Sequence, residues 1–124
     1  MRIEEYFHQI DQTINLCPSV SLKTMFYDER SETMGFIRGL LHFEDASELH
    51  LREFVDVSDG IDRYKYSYHY MHEGRMIFRY DNAADITARE LQTYPHHKHV
   101  REAIEASHAP TLQEVLEEIA SVLS

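Results

Sequence analysis

The sequence predicts an α+β fold, a five-stranded antiparallel meander with an N-terminal and a C-terminal helix packed on one face. Three observations predict it. Apolar residues recur at helical spacing at both ends of the chain, they switch to period two between Val20 and Tyr80, and short polar turns interrupt that middle stretch.

The first helix is marked by Ile3, Tyr6, Phe7, Ile10 and Ile14, which form one stripe on a helical surface. Pro18 ends it, because proline lacks the N–H that a continuing helix uses. Five strands follow, over Leu22 to Tyr27, Met34 to Phe43, Glu48 to Val57, Tyr64 to His72 and Arg75 to Tyr80, each rich in aromatic and β-branched residues. Asp28-Glu29-Arg30-Ser31, Glu44-Asp45-Ala46-Ser47 and Ser58-Asp59-Gly60 are turn sequences, and Met71-His72-Glu73-Gly74 reads as a tight hairpin. Connections this short force antiparallel neighbours, since parallel ones need crossovers of about a dozen residues. Residues 81–101 contain Asp81, Asn82, Pro95 and closely spaced polar rings and read as a mostly irregular loop with room for a short helical turn. In the last element Thr111-Leu112-Gln113-Glu114 is a capping box, and Leu112, Val115, Leu116, Ile119, Val122 and Leu123 share one helical face.

With 124 residues the chain fits a single domain, residues 1–124. No apolar run reaches the roughly 18 residues of a membrane span, and the N-terminus is acidic where a signal peptide needs an apolar stretch. The expected location is the cytoplasm, with no membrane partner. The lone Cys17 excludes an internal disulfide and a thiolate cluster, and reads as a buried structural thiol. There is no Walker loop, no GxGxxG after a strand and no GxSxG elbow, which excludes the large nucleotide-binding and hydrolase classes.

The net charge of −10 argues against non-specific nucleic-acid binding, but the charge is uneven. Residues 1–60 carry 5 basic and 12 acidic side chains, residues 61–101 carry 7 and 5, and residues 102–124 carry none and 5. Five of the nine histidines lie in the middle segment. Sorting each strand by alternation puts Arg38, Arg52, Lys65, His69 and Arg79 on the sheet face away from the helices. Guanidinium groups beside tyrosines suit phosphate contact and base stacking, although a solvated sheet face reads the same way. Tyr64, Tyr66, Tyr68 and Tyr70 form one row, which fits core packing or a stacking platform.

The second concentration of chemistry is Tyr94-Pro95-His96-His97-Lys98-His99. Paired imidazoles serve as base and acid in cleaving an RNA phosphodiester, with a cation stabilising the developing charge. Imidazoles also bind zinc or nickel. His97 and His99 point the same way in an extended segment, where Asp81 or Asp85 would complete a site. No standard metal motif is present, and a structural histidine loop is the remaining reading.

LREFVDV at 51–57, RYKYSYHY at 63–70, IFRYDNA at 77–83 and YPHHKH at 94–99, with IEEYF at 3–7 and PTLQEVLEEI at 110–119, resemble the TumE family of toxin–antitoxin proteins over nearly the whole chain. The resemblance implies a toxin encoded beside an antitoxin that carries a helix-turn-helix DNA-binding domain. Its shared polar positions correspond here to Arg52, Glu53, Asp56, Tyr66, His69, Arg79, Tyr80, Asp81, Asn82, His96, His97, Lys98 and His99. The chain departs from the family pattern after Asn82, where many relatives carry a Pro-His-His stretch and Ala84-Asp85-Ile86-Thr87 stands here.

The combined expectation is a toxin acting on RNA as a metal-independent endoribonuclease with no cofactor. His69, His97, His99 and Lys98 are the expected catalytic groups, and Arg38, Arg52, Lys65 and Arg79 the phosphate contacts. Glu53, Asp56, Tyr66, Asp81, Asn82 and His96 are further polar positions. The alternatives are a non-catalytic module that pairs with an antitoxin and a small metal-binding protein built on the histidines. A homodimer through the sheet edge is a further possible assembly.

Overall fold

The computed structural model describes residues 1–123. Helix α1, Ile3–Asn15, and helix α2, Leu112–Leu123, flank a sheet in chain order. Its strands are β1 (Val20–Glu29), β2 (Met34–Phe43), β3 (Glu48–Asp56), β4 (Asp62–His72), β5 (Arg75–Asp81), β6 (His97–Val100) and β7 (Ala103–Ala106). Every strand pairs antiparallel with the one before it, so the sheet is a meander ordered β1 to β7. The expected helices, five of the strands and their topology are present. The sheet has seven strands rather than five, because the stretch expected to be irregular supplies β6, and β7 follows.

The Glu73-Gly74 connection is the expected tight hairpin, with φ of 52° at Glu73 and 74° at Gly74. Positive φ at both central residues is the type I′ geometry that matches strand twist. At α2 the capping box closes, with Thr111 Oγ1 accepting from Glu114 N at 3.1 Å and Glu114 Oε1 accepting from Thr111 N at 2.9 Å.

Ile3, Tyr6, Ile10 and Ile14 of α1 and Leu112, Val115, Leu116 and Ile119 of α2 are buried with Ile37, Leu41, Leu49, Leu51, Val55, Tyr68, Tyr70 and Phe78 of the sheet. Both helices therefore cover one sheet face. Gly35 permits that approach: a Cβ there would stand 2.6 Å from the Phe7 ring and 2.7 Å from Ile3. Half-buried Cys17 packs at the margin of this core.

One bulge changes the strand sorting. Phe54 pairs with Lys65 and Val55 with Arg63, so Tyr64 is the extra residue on β4. A bulge moves side chains to the other face, because successive residues alternate. Tyr66, Tyr68 and Tyr70 are buried in the core, whereas Tyr64 leaves the expected row and stacks on Phe54 with centroids 6.3 Å apart. Arg63 makes the opposite move and donates to Tyr68 Oη, at 2.7 Å, and to the Pro110 carbonyl under the helices.

The core face also holds an ionisable group. Glu53 is 1% exposed, and its carboxylate accepts the hydroxyls of Tyr6 and, at 2.6 Å, Tyr68. Burial raises its pKa, and the two tyrosine hydrogen bonds and Arg63 oppose that rise. A buried carboxylate is tolerated only with such partners. This network ties α1 to β3 and β4.

Candidate site on the open sheet face

The face away from the helices is a trough of about 1240 Å³. Its register follows from the strand pairings. Arg38 stands opposite Arg52, Arg52 opposite Ser67, Ser67 opposite Asp81 and Asp81 opposite His97. The neighbouring row runs Leu40, His50, His69, Arg79, His99. Phe26, Phe36, Phe54 and Tyr64 line the same trough. Phe26 and Tyr64 are exposed, and the Arg38 guanidinium lies 5.3 Å over the Phe26 ring. Like charges directly across a strand pair destabilise a sheet. The Arg38–Arg52 pair carries that cost with no acidic partner for either residue among the described residues.

At one end of the trough the chain builds a corner of charged and imidazole groups. Asp81 and His97 face each other on β5 and β6, and both are buried. Asp81 Oδ2 accepts from Arg79 Nε at 2.9 Å, and Asp81 Oδ1 accepts from Ala83 N at 3.0 Å. His99 Nε2 is 3.0 Å from Arg79 Nη2, 3.6 Å from Asp81 Oδ2 and 4.0 Å from Asp85 Oδ2. Asp85 caps a short 3-10 helix, Ile86–Ala88, by accepting from Thr87 N. His97 donates from Nδ1 to the Pro95 carbonyl at 2.7 Å, and its Nε2 lies 3.1 Å from Asp81 Oδ1. Asp81, His97 and His99 each offer one ligand atom within 4.8 Å of the others.

Burial, and next the Arg79 charge, lower the pKa of both His69 and His99. The two imidazoles flank Arg79 across the sheet, His69 on β4 and His99 on β6. Both are held toward the neutral form, which accepts a proton.

The structure thus brings Arg38, Arg52, Lys65, Arg79, His69, Asp81 and His99 to one face, with buried His97 in the wall of the corner. It sends other expected site residues elsewhere. Lys98 alternates to the helix side, where Nζ donates to Glu118 Oε2 at 2.8 Å and lies 4.8 Å from the Tyr80 ring centroid. His96 is also on the helix side, stacked on Tyr66, with its Nδ1 3.0 Å from the Tyr66 hydroxyl. Burial of Tyr66 pushes its hydroxyl up to about 12. Glu53 belongs to the core network. Asp56 accepts from Ser58 N at 2.8 Å and shapes a turn. Asn82 extends the β5 ladder with its side chain, accepting from Tyr66 N and donating to Tyr64 O, both at 3.0 Å. Phe26, Phe36, His50 and Phe54 are trough residues missed by residue-level reading, although strand alternation places them there.

A sheet sealed on one face by two acidic helices and left open, cationic and aromatic on the other defines a small two-faced α+β protein. The sequence model of the family described as Toxin TumE matches residues 8–123, and the chain belongs to that family. Membership makes it a toxin component and implies an antitoxin as its partner. No curated protein and no solved structure matches it. Among the described residues no helix is long and apolar enough to cross a membrane.

Proposed function

We propose that this toxin acts on RNA, bound along the open sheet face, as an endoribonuclease. The observation that carries the reading is the directly opposed Arg38–Arg52 pair beside exposed Phe26 and Tyr64. A phosphate relieves the repulsion between two guanidiniums, and unpaired bases stack on exposed rings. Arg38, Arg52 and Lys65 hold the backbone, and the strand leads to the corner at Arg79.

There the 2′-hydroxyl of a nucleotide attacks the adjacent phosphorus, giving a 2′,3′-cyclic phosphate. His69, kept neutral by burial and Arg79, accepts the hydroxyl proton. Arg79 stabilises the charge gathering on the phosphate oxygens, the role that the sequence alone gave to Lys98. The departing 5′-oxygen takes a proton from water. Asp81 and His99 hold the guanidinium through Nε and Nη2.

The test is purified protein incubated with a mixed-sequence RNA. Wild type yields fragments with cyclic phosphate ends. His69→Ala lowers the rate by about 10²–10⁴-fold, the usual share of a general base. RNA intact with wild type, or cleaved equally by His69→Ala, removes the assignment.

A second reading is a non-catalytic module that pairs with a basic, DNA-binding antitoxin. The helix layer favours it, with Glu4, Glu5 and Asp11 on α1 and Glu114 and Glu117 on α2. Purified protein inert on RNA yet tightly bound to the neighbouring gene's product selects this reading.

A further inference from the structure

We propose that Asp81, His97 and His99 form a binding site for a nitrogen-preferring divalent transition-metal ion, with zinc as the probe. The argument starts at His97. Its side chain is fully buried, and its Nδ1 is committed to the Pro95 carbonyl at 2.7 Å. That bond fixes the proton on Nδ1, so the neutral ring points a bare lone pair from Nε2 into the corner. The lone pair makes no hydrogen bond, although Asp81 Oδ1 is only 3.1 Å away. An imidazole lone pair and a carboxylate oxygen repel each other at that distance in a water-excluded site. A second ring proton turns the contact into an ion pair that still lacks a hydrogen bond at Nε2. A cation bound by both atoms satisfies the nitrogen and the oxygen together.

The distances fit one. Zinc binds imidazole nitrogen and carboxylate oxygen at about 2.0–2.2 Å, so neighbouring ligands in its shell are about 2.9–3.5 Å apart. The 3.1 Å from His97 Nε2 to Asp81 Oδ1 lies within this spacing, and the 3.6 Å from His99 Nε2 to Asp81 Oδ2 is 0.1 Å beyond it. The supporting contacts are those that metal sites use. A backbone carbonyl orients the ligating imidazole, while Arg79 Nε and Ala83 N hold the carboxylate. Two imidazoles and one carboxylate select zinc, nickel, cobalt or iron over magnesium and calcium, which take oxygen shells. Asp85 Oδ2, 4.0 Å from His99 Nε2, is a further carboxylate within reach.

Arg79 Nη2 now lies against the His99 lone pair, at 3.0 Å. Ion binding takes that lone pair and releases Nη2 toward the trough, while Nε stays on Asp81. The ion and the freed guanidinium then both face the phosphate path. Ion binding itself requires no RNA.

The experiment is zinc titration of the full chain by calorimetry, with elemental analysis after dialysis and cobalt substitution read by visible absorption. One equivalent of zinc is expected, with visible cobalt bands that zinc abolishes and excess magnesium leaves unchanged. His99→Ala and Asp81→Asn are expected to lose the bound zinc, while His69→Ala keeps it. His99 is the partly accessible ligand, and each variant's circular dichroism reports whether it folds. Wild type with less than a tenth of an equivalent and no cobalt bands overturns the site, as does a folded His99→Ala that binds as wild type does. Zinc bound with RNA left intact keeps this site and removes the ribonuclease; less than a tenth of an equivalent of zinc with RNA still cut removes this site and keeps the ribonuclease.

Discussion

Replacing Tyr6 with phenylalanine tests how the helix layer is anchored. The ring stays, so no large cavity opens; only the hydroxyl that donates to buried Glu53 is lost. Glu53 then keeps one hydroxyl donor, Tyr68 at 2.6 Å. A hydrogen bond to a charged group contributes about 1.5–3 kcal/mol, and a stranded carboxylate pays its desolvation in full. In a domain of this size that loss lowers Tm by roughly 5–12 °C. The Tyr6 bond lowers the Glu53 pKa, so removing it raises that pKa further and the destabilisation grows as pH rises. Urea unfolding followed by circular dichroism at several pH values measures this. Tyr68→Phe and the double variant complete a cycle that should be non-additive, because both hydroxyls serve one carboxylate. Tyr6→Phe within about 0.5 kcal/mol of wild type at every pH refutes the anchoring role, since that is the range of an ordinary surface change.

Other consequences are as direct. Because burial raises the Glu53 pKa above the ordinary glutamate value, the stability of the protonated form is complete below that value and is lost as pH rises through the folded-state pKa. Glu53→Gln should remove this slope, which reaches about 1.4 kcal/mol per pH unit, and a wild-type-like slope contradicts the reasoning. Gly35→Ala forces a Cβ to within 2.6 Å of the Phe7 ring and should cost about 1–3 kcal/mol by thermal unfolding. Arg38→Ala should weaken RNA binding similarly across sequences and reduce the slope of log K against log salt by about 0.7–1. The ribonuclease rate should hold at neutral pH and fall only below the ordinary imidazole value of 6.5, because burial and Arg79 lower the His69 pKa.

The parts of the fold legible in the sequence are those with strong periodicity. Ile3, Tyr6, Ile10 and Ile14 mark α1, and the Thr111–Glu114 box marks α2, because hydrophobic spacing and capping are local signals. The strands β6 and β7 escaped because HKHV and AIEA are short, with one β-branched residue each and no alternation to read. Their connection passes through Arg101 at φ of 56°, where no glycine announces the turn. Tyr64 and Arg63 were misplaced by a bulge that leaves no mark in composition. The site followed the same division. Arg38, Arg52, Lys65, His69 and Arg79 share a face that period two alone assigns. The convergence of His97 and His99 with Asp81 was legible only as a possible arrangement, since it depends on β6 pairing with β5. The same pairing turns Lys98 to the helices, a consequence invisible while residues 94–99 read as a loop.

The most direct test of the RNA reading is made in cells. Wild type and an Arg38→Glu/Arg52→Glu variant are expressed with and without the adjacent small gene, and growth and total RNA integrity are followed together. Arrest with fragmented RNA in wild type alone, relieved by the neighbour and absent in the variant, is the predicted result. Arrest with intact RNA, or equal fragmentation by the charge-reversed variant, contradicts the account.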